Sequence, residues 1–283
     1  MNLSFKKILF FALLFFVLIL LIQFFLTHPF DEKVPLRVSF LDVGQGDAIL
    51  IDYQEQYQVL IDSGLSGKKV LSELNRAMPP QDKTIEVLIA THYDKDHIGG
   101  MRSVLENYQT QLFLDNGDFS ETNAVTLLTD LIEAKKIDSR SIKEDSRIEF
   151  GEDFFLEFFN PDGDDWSANE NSVVARLDFR GNSFLFTGDV GFKAEKDLMA
   201  DGHDLDVDWL KVGHHGSKNS SAEDFLRQVS PQGAIISVGA KNSYGHPAEE
   251  TLDRLRAVGA EIFNTAENGT IIFECFEECG LAK

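Results

Sequence analysis

The sequence predicts an α/β fold in which two β-rich layers are covered by helices. Three observations lead to it. Short apolar runs typical of strands occur in two clusters along the chain, and helix-like segments lie among and after them. The 283 residues are also 43% hydrophobic and 26% charged, which supplies a buried core and excludes a disordered or collagen-like chain.

The first cluster contains four strands, predicted from apolar runs at residues 36–43, 48–51, 58–61 and 85–90. A helix-like segment at residues 68–78 separates the third run from the fourth. It ends at Pro79 and Pro80, because proline cannot continue a helix.

The second cluster contains strands predicted at residues 154–159, 173–179 and 183–186, followed by a helix at 192–199. The C-terminal third alternates between strands and helices. Its strands are predicted at 207–212, at 234–238 and near Ile262 and Ile271, and its helices at 222–229 and 249–258. No fixed-period repeat and no linker rich in proline or glycine divides this part of the sequence, so residues 34–283 are expected to form one domain.

The N-terminal segment from Ile8 to Leu26 is predicted to cross a membrane. Its 19 residues include one polar side chain, Gln23, and as a helix they would be about 28 Å long, close to the hydrocarbon thickness. Lys6 and Lys7 precede it, so the positive-inside rule places the N-terminus in the cytoplasm. Residues 1–33 are thus expected to be a cytoplasmic stub and single-pass anchor in the plasma (inner) membrane, with residues 34–283 in the periplasm or outside the cell. The alternative is a cleaved segment and a secreted protein.

Two cysteines, Cys275 and Cys279, are too few for a disulfide scaffold. In a continuous strand their Cα atoms would be about 13 Å apart, beyond the reach of a disulfide. Two unlinked thiols are therefore expected, unless a turn separates them.

Potential metal ligands follow the strand predicted at residues 85–90, in the run THYDKDHIGG (residues 91–100). His92 and Asp94, two residues apart, can point the same way from an extended segment. Asp96 and His97 are adjacent and can turn toward a second ion. Four such side chains within six residues are hard to explain by structural roles alone, and they indicate a metal site.

Three later strand ends repeat this arrangement. FTGD (186–189) brings the carboxylate Asp189, KVGHHGS (211–217) brings the imidazoles of His214 and His215, and YGHP (244–247) brings His246. Five of the seven histidines lie in these four motifs. The sequence therefore predicts a dinuclear metal centre.

The motifs resemble those of the metallo-β-lactamase superfamily. More narrowly, FLDVGQGDA (40–48), LIDSG (60–64), NSV (171–173), KVGHHGS and YGHP resemble the extracellular metallo-β-lactamase-like domain of the ComEC competence protein family, over about residues 36–273. The resemblance implies a four-layer αβ/βα sandwich, preceded here by one transmembrane helix, with its metal site at the edge between the two halves.

The resemblance also implies a ligand set drawn from all four motifs. The first ion would be held by His92, Asp94, Asp189 and one of His214 and His215, and the second by Asp96, His97, Asp189 and His246. Most of the superfamily has histidine at the position of Asp94, and no histidine lies between His97 and His203. A carboxylate in place of an imidazole hardens the site, which favours Mn²⁺ relative to Zn²⁺, and the identity of the two divalent ions stays open.

Further roles follow from the same resemblance. The residues expected to act in catalysis are Asp96, His214 and His215. One of the two histidines would contact substrate or donate a proton to the leaving oxygen. Asp62 is expected to orient ligands instead of binding the ions. For Gln45 and Asp47, on a glycine-lined turn, a structural role and a substrate contact are weighted equally.

Charge constrains the substrate. The net charge of −21 argues against a general nucleic-acid coating protein, whose affinity depends on basic residues that neutralise phosphates. Four lysines lie within five residues of a motif histidine: Lys95, Lys211, Lys218 and Lys241. They would make the mouth of the site locally positive, or they are lysines scattered on solvated loops.

The predicted reaction is hydrolysis of a phosphodiester, since two metal ions stabilise both the entering and the leaving oxygen. The ComEC resemblance makes DNA the first substrate class and DNA-uptake machinery the expected partner, beside the lipid bilayer. The alternatives are another envelope phosphodiester, of teichoic-acid or phosphocholine type, and a non-catalytic membrane-tethered binding module. The superfamily has a further histidine ligand in the stretch between His97 and His203, and its absence here keeps that last alternative open.

Overall fold

The computed structural model describes residues 35–53, 56–118, 122–159 and 167–282. Within these ranges no helix is both long enough and apolar enough to cross a membrane. The predicted span from Ile8 to Leu26 lies outside them.

The described residues form fifteen strands in two sheets. The strands are β1 (Leu36–Phe40), β2 (Ile49–Tyr53), β3 (Tyr57–Ile61), β4 (Val87–Ile89), β5 (Leu112–Asp115), β6 (Asp138–Ser141), β7 (Ser146–Gly151), β8 (Phe154–Phe159), β9 (Val174–Phe179), β10 (Asn182–Phe186), β11 (Trp209–Lys211), β12 (Gly233–Ile236), β13 (Glu261–Asn264), β14 (Ile271–Cys275) and β15 (Cys279–Leu281). The helices are α1 (Gly67–Ala77), α2 (Lys95–Ile98), α3 (Met101–Asn107), α4 (Asn123–Lys135), α5 (Phe192–Ala200), α6 (Glu223–Val229), α7 (Glu249–Ala257) and α8 (Thr265–Asn268), with a 3₁₀ turn at Gly213–Gly216.

The first sheet has the order β15-β14-β1-β2-β3-β4-β5-β6, and the second has the order β13-β12-β11-β10-β9-β8-β7. Strands β3 to β6 are parallel to one another, as are β10 to β13, while the remaining pairs are antiparallel. The parallel part of each sheet is where connecting helices return the chain to the same end.

Three apolar clusters define four layers. One lies between the sheets and includes Phe40, Phe186 and Phe273. A second joins the first sheet to α1, α3 and α4, and a third joins the other sheet to α5, α6 and α7. Because each sheet is covered on both faces, strands such as β3 and β10 are buried along nearly their whole length. The layered α/β fold predicted from the sequence is confirmed.

Several elements between residues 101 and 151 were not predicted: α3, β5, α4, β6 and β7. The strand β6, Asp138–Ser141, is exposed at all four positions and lies at the edge of its sheet. An edge strand with two charged residues and two serines has no apolar period that a sequence can reveal.

The prediction of two unlinked thiols is wrong, because Cys275 and Cys279 form a disulfide. The chain turns between β14 and β15, so the two cysteines become direct partners across an antiparallel hairpin. The separation expected for a continuous strand therefore does not apply.

Candidate metal centre

The predicted metal ligands lie on loops that leave the two sheets at one edge of the sandwich. The loop and helix α2 after β4 carry His92, Asp94, Asp96 and His97 from the first sheet. In the second sheet, the parallel strands β10, β11 and β12 end in the segments that carry Asp189, the two histidines of the 3₁₀ turn, and His246. Since carboxyl ends of parallel strands meet at one edge, these segments converge.

Five of the predicted site residues form a compact, mostly buried cluster: His92, Asp96, His97, Asp189 and His215. The Nε2 atoms of His97 and His215 lie 3.3 Å and 3.4 Å from Asp189 Oδ2. His215 Nε2 is also 3.4 Å from Asp96 Oδ2, and the rings of His92 and His97 lie 4.1 Å apart. His92 and His97 are fully buried, and Asp189 and His215 almost so.

The donor atoms of this cluster fit a divalent cation. Among the described residues, the buried atoms without a hydrogen-bond partner include Nε2 of His92, His97 and His215 and Oδ1 of Asp189. Buried polar atoms are nearly always partnered, so four such atoms close together indicate a ligand. Imidazole nitrogens and carboxylate oxygens are the donors that Zn²⁺ and Mn²⁺ accept. Among the described residues, four triads have their ligand atoms within 4.8 Å of one another. Two consist only of predicted ligands: His92, His97 and Asp189, and Asp96, His97 and His215. The other two include Asp47.

Hydrogen bonds behind the imidazoles aim their free nitrogens at the cluster. His97 Nδ1 donates to Asp62 Oδ2 at 2.7 Å, and Asp62 also accepts from the backbone N–H and the hydroxyl of Thr91. His215 Nδ1 donates to the carbonyl oxygen of Ser237 at 3.0 Å. A bond to Nδ1 fixes the tautomer and leaves Nε2 available as a ligand. Asp62 thus lies behind His97, where its hydrogen bond can orient the ring, as its predicted role requires.

Burial and neighbouring charges shift the pKa values in the cluster. Burial lowers the pKa of His92 to about 3, and the charge of His97 adds to this. Burial alone would lower the pKa of His215 as well, but the carboxylates of Asp189, Asp47 and Asp96 outweigh it and raise that pKa to about 9. For Asp189, the nearby His215 and His97 overcome the effect of burial and hold the pKa well below its usual range. Without a metal ion, the carboxylates therefore retain protons on the imidazoles of His215 and His97, while that of His92 is neutral.

This proton retention predicts how stability depends on pH. A histidine whose pKa rises from 6.5 to about 9 on folding stabilises the fold fully below pH 6.5, and the contribution is lost as the pH rises toward 9. EDTA-treated protein is expected to melt on the order of 5 °C lower at pH 9 than at pH 6.5, measured by circular dichroism. A divalent ion requires neutral imidazoles, so added Mn²⁺ should reduce this difference. An equal or higher melting temperature at pH 9 without metal would contradict the assignment.

The remaining predicted ligands lie on the solvent side. A cavity of about 100 Å³ opens from the cluster, and its outer lining includes Gln45, Asp94, Asn169, His214, Tyr244 and His246. Asp94 Oδ2 lies 3.8 Å from His92 Nε2, and His214 Nε2 lies 4.0 Å from Asp189 Oδ2. The rings of His214 and His246 are 5.7 Å apart. The structure thus brings all the predicted ligands to one place, in an inner cluster and an outer ring.

Two buried residues have positions that the sequence did not indicate. Lys211, expected on the surface, is fully buried in β11, where its Nζ contacts the Asp47 carboxylate and donates to the Gly188 carbonyl at 2.7 Å. Asp47 in turn has Oδ1 3.4 Å from His215 Nδ1. Asp47 is therefore part of the buried support of the cluster, and it does not line the cavity.

Other lysines near the motifs are exposed: Lys95, Lys218 and Lys241. None of these three lines the described cavity. Asn169, which the sequence did not single out, does line it, and its Nδ2 lies 3.2 Å from His214 Nε2. It lies in residues 151–170, a stretch with seven acidic residues and no basic one, and nothing in that pattern signals a role at the site.

The turn that carries Asp47 packs tightly against α2. A Cβ atom on Gly46, which has φ +112°, would lie 1.9 Å from the carbonyl oxygen of Asp96. Gly46→Ala is expected to lower the free energy of unfolding by about 3 kcal/mol or more and to weaken metal binding. Gly202→Ala is the matched control, because Gly202 has φ +78° with nothing near its Cβ position. Urea unfolding measures both variants, and equal losses would show that the contact with Asp96 is unimportant.

Known proteins are similar to this chain in sequence and in fold. The model of the metallo-beta-lactamase superfamily matches residues 41–240. ComE operon protein 3 of Bacillus subtilis is 33% identical over 257 residues, which cover 83% of this chain and 32% of that protein. Competence protein ComA of Neisseria gonorrhoeae is 30% identical over 263 residues, covering 90% and 35%.

A solved structure, that of Zn²⁺-bound PqqB from Methylobacterium extorquens, matches with a TM-score of 0.52 and 10% identity over 78% of this chain and 85% of that chain. At this identity the likeness concerns the fold alone. The present chain spans about a third of the length of the two curated relatives.

Proposed function

Because this chain belongs to the metallo-β-lactamase superfamily, we propose that it is a dinuclear metal-dependent phosphodiesterase that acts on DNA. The observation that carries the proposal is the convergence of unpartnered, buried Nε2 atoms of His92, His97 and His215 on the Asp189 carboxylate. The large majority of buried side-chain polar atoms in folded proteins have a hydrogen-bond partner, so three unpartnered imidazole nitrogens beside one carboxylate call for a ligand.

The inner cluster would hold the ions from the protein side through His92, Asp96, His97, Asp189 and His215. Asp94 and His246 remain candidate ligands from the cavity side, as the sequence predicted, and of the two adjacent histidines His215 is the proposed ligand. Two divalent ions would activate a water molecule and stabilise negative charge on the phosphoryl oxygens.

Charge balance supports two ions. The site brings together five carboxylates: Asp47, Asp62, Asp94, Asp96 and Asp189. Lys211 supplies one positive charge among them, through its contact with Asp47. Two divalent ions would supply the remaining four positive charges. With neutral imidazoles, the charges of the five carboxylates would then be balanced. With one ion, two negative charges would remain, and protons retained on His97 and His215 would have to balance them instead of a second ion.

His214 is proposed to act on the substrate. It is half-buried, it faces the cavity, and burial lowers its pKa, so its imidazole is neutral at neutral pH. The amide of Asn169 contacts its Nε2 and restricts the ring. A neutral, fixed imidazole at the mouth can hydrogen-bond a substrate oxygen and take part in proton transfer.

DNA is proposed as the substrate because one relative of this chain is named a competence protein and because the motifs resemble those of the ComEC family. The apolar segment from Ile8 to Leu26 would anchor the chain in the plasma membrane, as the sequence predicted. The domain would then face outward, beside DNA-uptake machinery. The net charge of −21 weighs against binding by phosphate contacts alone.

The test uses the purified 283-residue chain with Mn²⁺ or Zn²⁺. Elemental analysis is expected to find about two ions per chain, and both bis(p-nitrophenyl) phosphate and DNA should be cleaved. If bis(p-nitrophenyl) phosphate were cleaved and DNA were not, the substrate would be another envelope phosphodiester instead of DNA. The absence of bound metal, with both substrates untouched, would refute hydrolysis and favour the binding module.

A further inference from the structure

Tyr244 is an exposed aromatic residue at the mouth of a polar cavity. Its side chain is 68% exposed, and it lines the cavity together with His246. The two rings are nearly parallel, with centroids 5.9 Å apart and an angle of 17° between their planes. His246 leads inward to His214, whose Nε2 is 4.0 Å from Asp189. A row of three rings thus extends from solvent to the metal cluster.

The loop that carries Tyr244 is held in place by one side chain. Asn242 Oδ1 accepts hydrogen bonds from the backbone N–H groups of Tyr244 and His246, at 3.1 Å and 3.0 Å. Its Nδ2 donates to the carbonyl oxygens of Gly239 and His246. The exposed ring therefore belongs to an ordered turn, which reduces the entropy lost when a ligand packs on it.

The cavity offers little positive charge to a nucleic acid. No lysine or arginine is among the described residues that line it, and the whole chain carries −21. Proteins that bind single strands combine a basic groove with aromatic rings on which bases stack. Where the basic component is weak, stacking has to supply more of the affinity.

We infer that Tyr244 stacks on an unpaired nucleobase beside the scissile phosphate, so that the site selects single-stranded DNA or frayed duplex ends. The inference rests on the proposed function. A base inside a duplex has both faces covered by its neighbours and reaches a protein ring only after it leaves the stack. Tyr244 is then a specificity-determining residue, and the diester cleaved is the one attached to the stacked nucleotide.

The test compares two single strands of equal length and charge, an oligothymidylate and an oligomer of abasic tetrahydrofuran residues. Fluorescence anisotropy with the full chain and Mn²⁺ gives the Kd of each, and a parallel assay follows cleavage. Wild type is expected to bind the oligothymidylate more tightly. Tyr244→Ala should raise that Kd about 5- to 150-fold, the range that base–aromatic stacking gives, and leave the abasic Kd unchanged.

Two variants serve as controls. Tyr244→Phe keeps the ring and should keep the preference for the oligomer that has bases. Phe276→Ala removes an aromatic side chain that is 42% exposed in the β14–β15 turn and lies outside the cavity lining, so the preference should persist.

The outcomes separate the two proposals. Equal binding of both oligomers by wild type, or equal weakening of both by Tyr244→Ala, would overturn the stacking inference even if DNA is cleaved. A base-dependent Kd that Tyr244→Ala abolishes, without cleavage of either strand, would support stacking and refute the nuclease.

Discussion

Replacing Asp189 by asparagine is expected to remove bound metal and to lower kcat/KM for phosphodiester cleavage by about 10³-fold or more, equivalent to about 4 kcal/mol. Asp189 Oδ2 is the point on which His97 and His215 converge. Asparagine keeps the shape of the side chain but loses the negative charge that would help to hold the ions. It also removes one of the two carboxylates, with Asp62, that hold the pKa of His97 well above its usual range against the effect of burial.

Elemental analysis and steady-state kinetics on the same preparation measure this prediction. Asp130→Asn is the matched control, because Asp130 is exposed on α4 and lies outside the site. The control should keep about two ions and wild-type kinetics. If Asp189→Asn also kept two ions and most of the activity, the proposed metal centre would be wrong.

The adjacent residues His214 and His215 are expected to give opposite phenotypes on replacement by alanine. His215 is buried, with Nε2 3.4 Å from both Asp96 and Asp189, so His215→Ala should reduce the metal content to one ion or fewer. His214 is partly exposed and faces the cavity. His214→Ala should retain about two ions and lower kcat by about 10² to 10⁴-fold, as expected for loss of a group that transfers a proton.

Melting temperatures of the two variants control for misfolding, since His215→Ala leaves a buried cavity. The discriminating quantity is metal content per folded chain, measured after gel filtration. If His214→Ala lost the ions and His215→Ala kept them, the roles assigned to the two residues would be reversed.

The sequence predicted which residues form the site better than it predicted how deeply each of them is buried. Asp96, Asp189 and His246 were found because each follows an apolar run, and the ends of strands collect at one sheet edge. Which of two adjacent histidines points inward was not predictable. The choice depends on the backbone of the 3₁₀ turn, where both residues have left-handed φ angles of 48° and 53°.

Buried polar support was also beyond the sequence. Lys211 looks like a surface residue because its partner Asp47 lies far away in the chain, on the loop after β1. Only the closing of the two sheets brings the ammonium group and the carboxylate together. Long-range pairing of this kind has no local signal, in contrast to the hydrophobic period of a strand.

The Cys275–Cys279 disulfide has a consequence for where the domain can mature. Disulfides persist in oxidising surroundings such as the periplasm and the cell exterior, whereas cytosolic thiols are kept reduced by glutathione and thioredoxin. The covalent link in the last hairpin of the first sheet therefore matches a domain that folds after export. It gives the proposed outward orientation a support that is independent of the charges around the N-terminal segment.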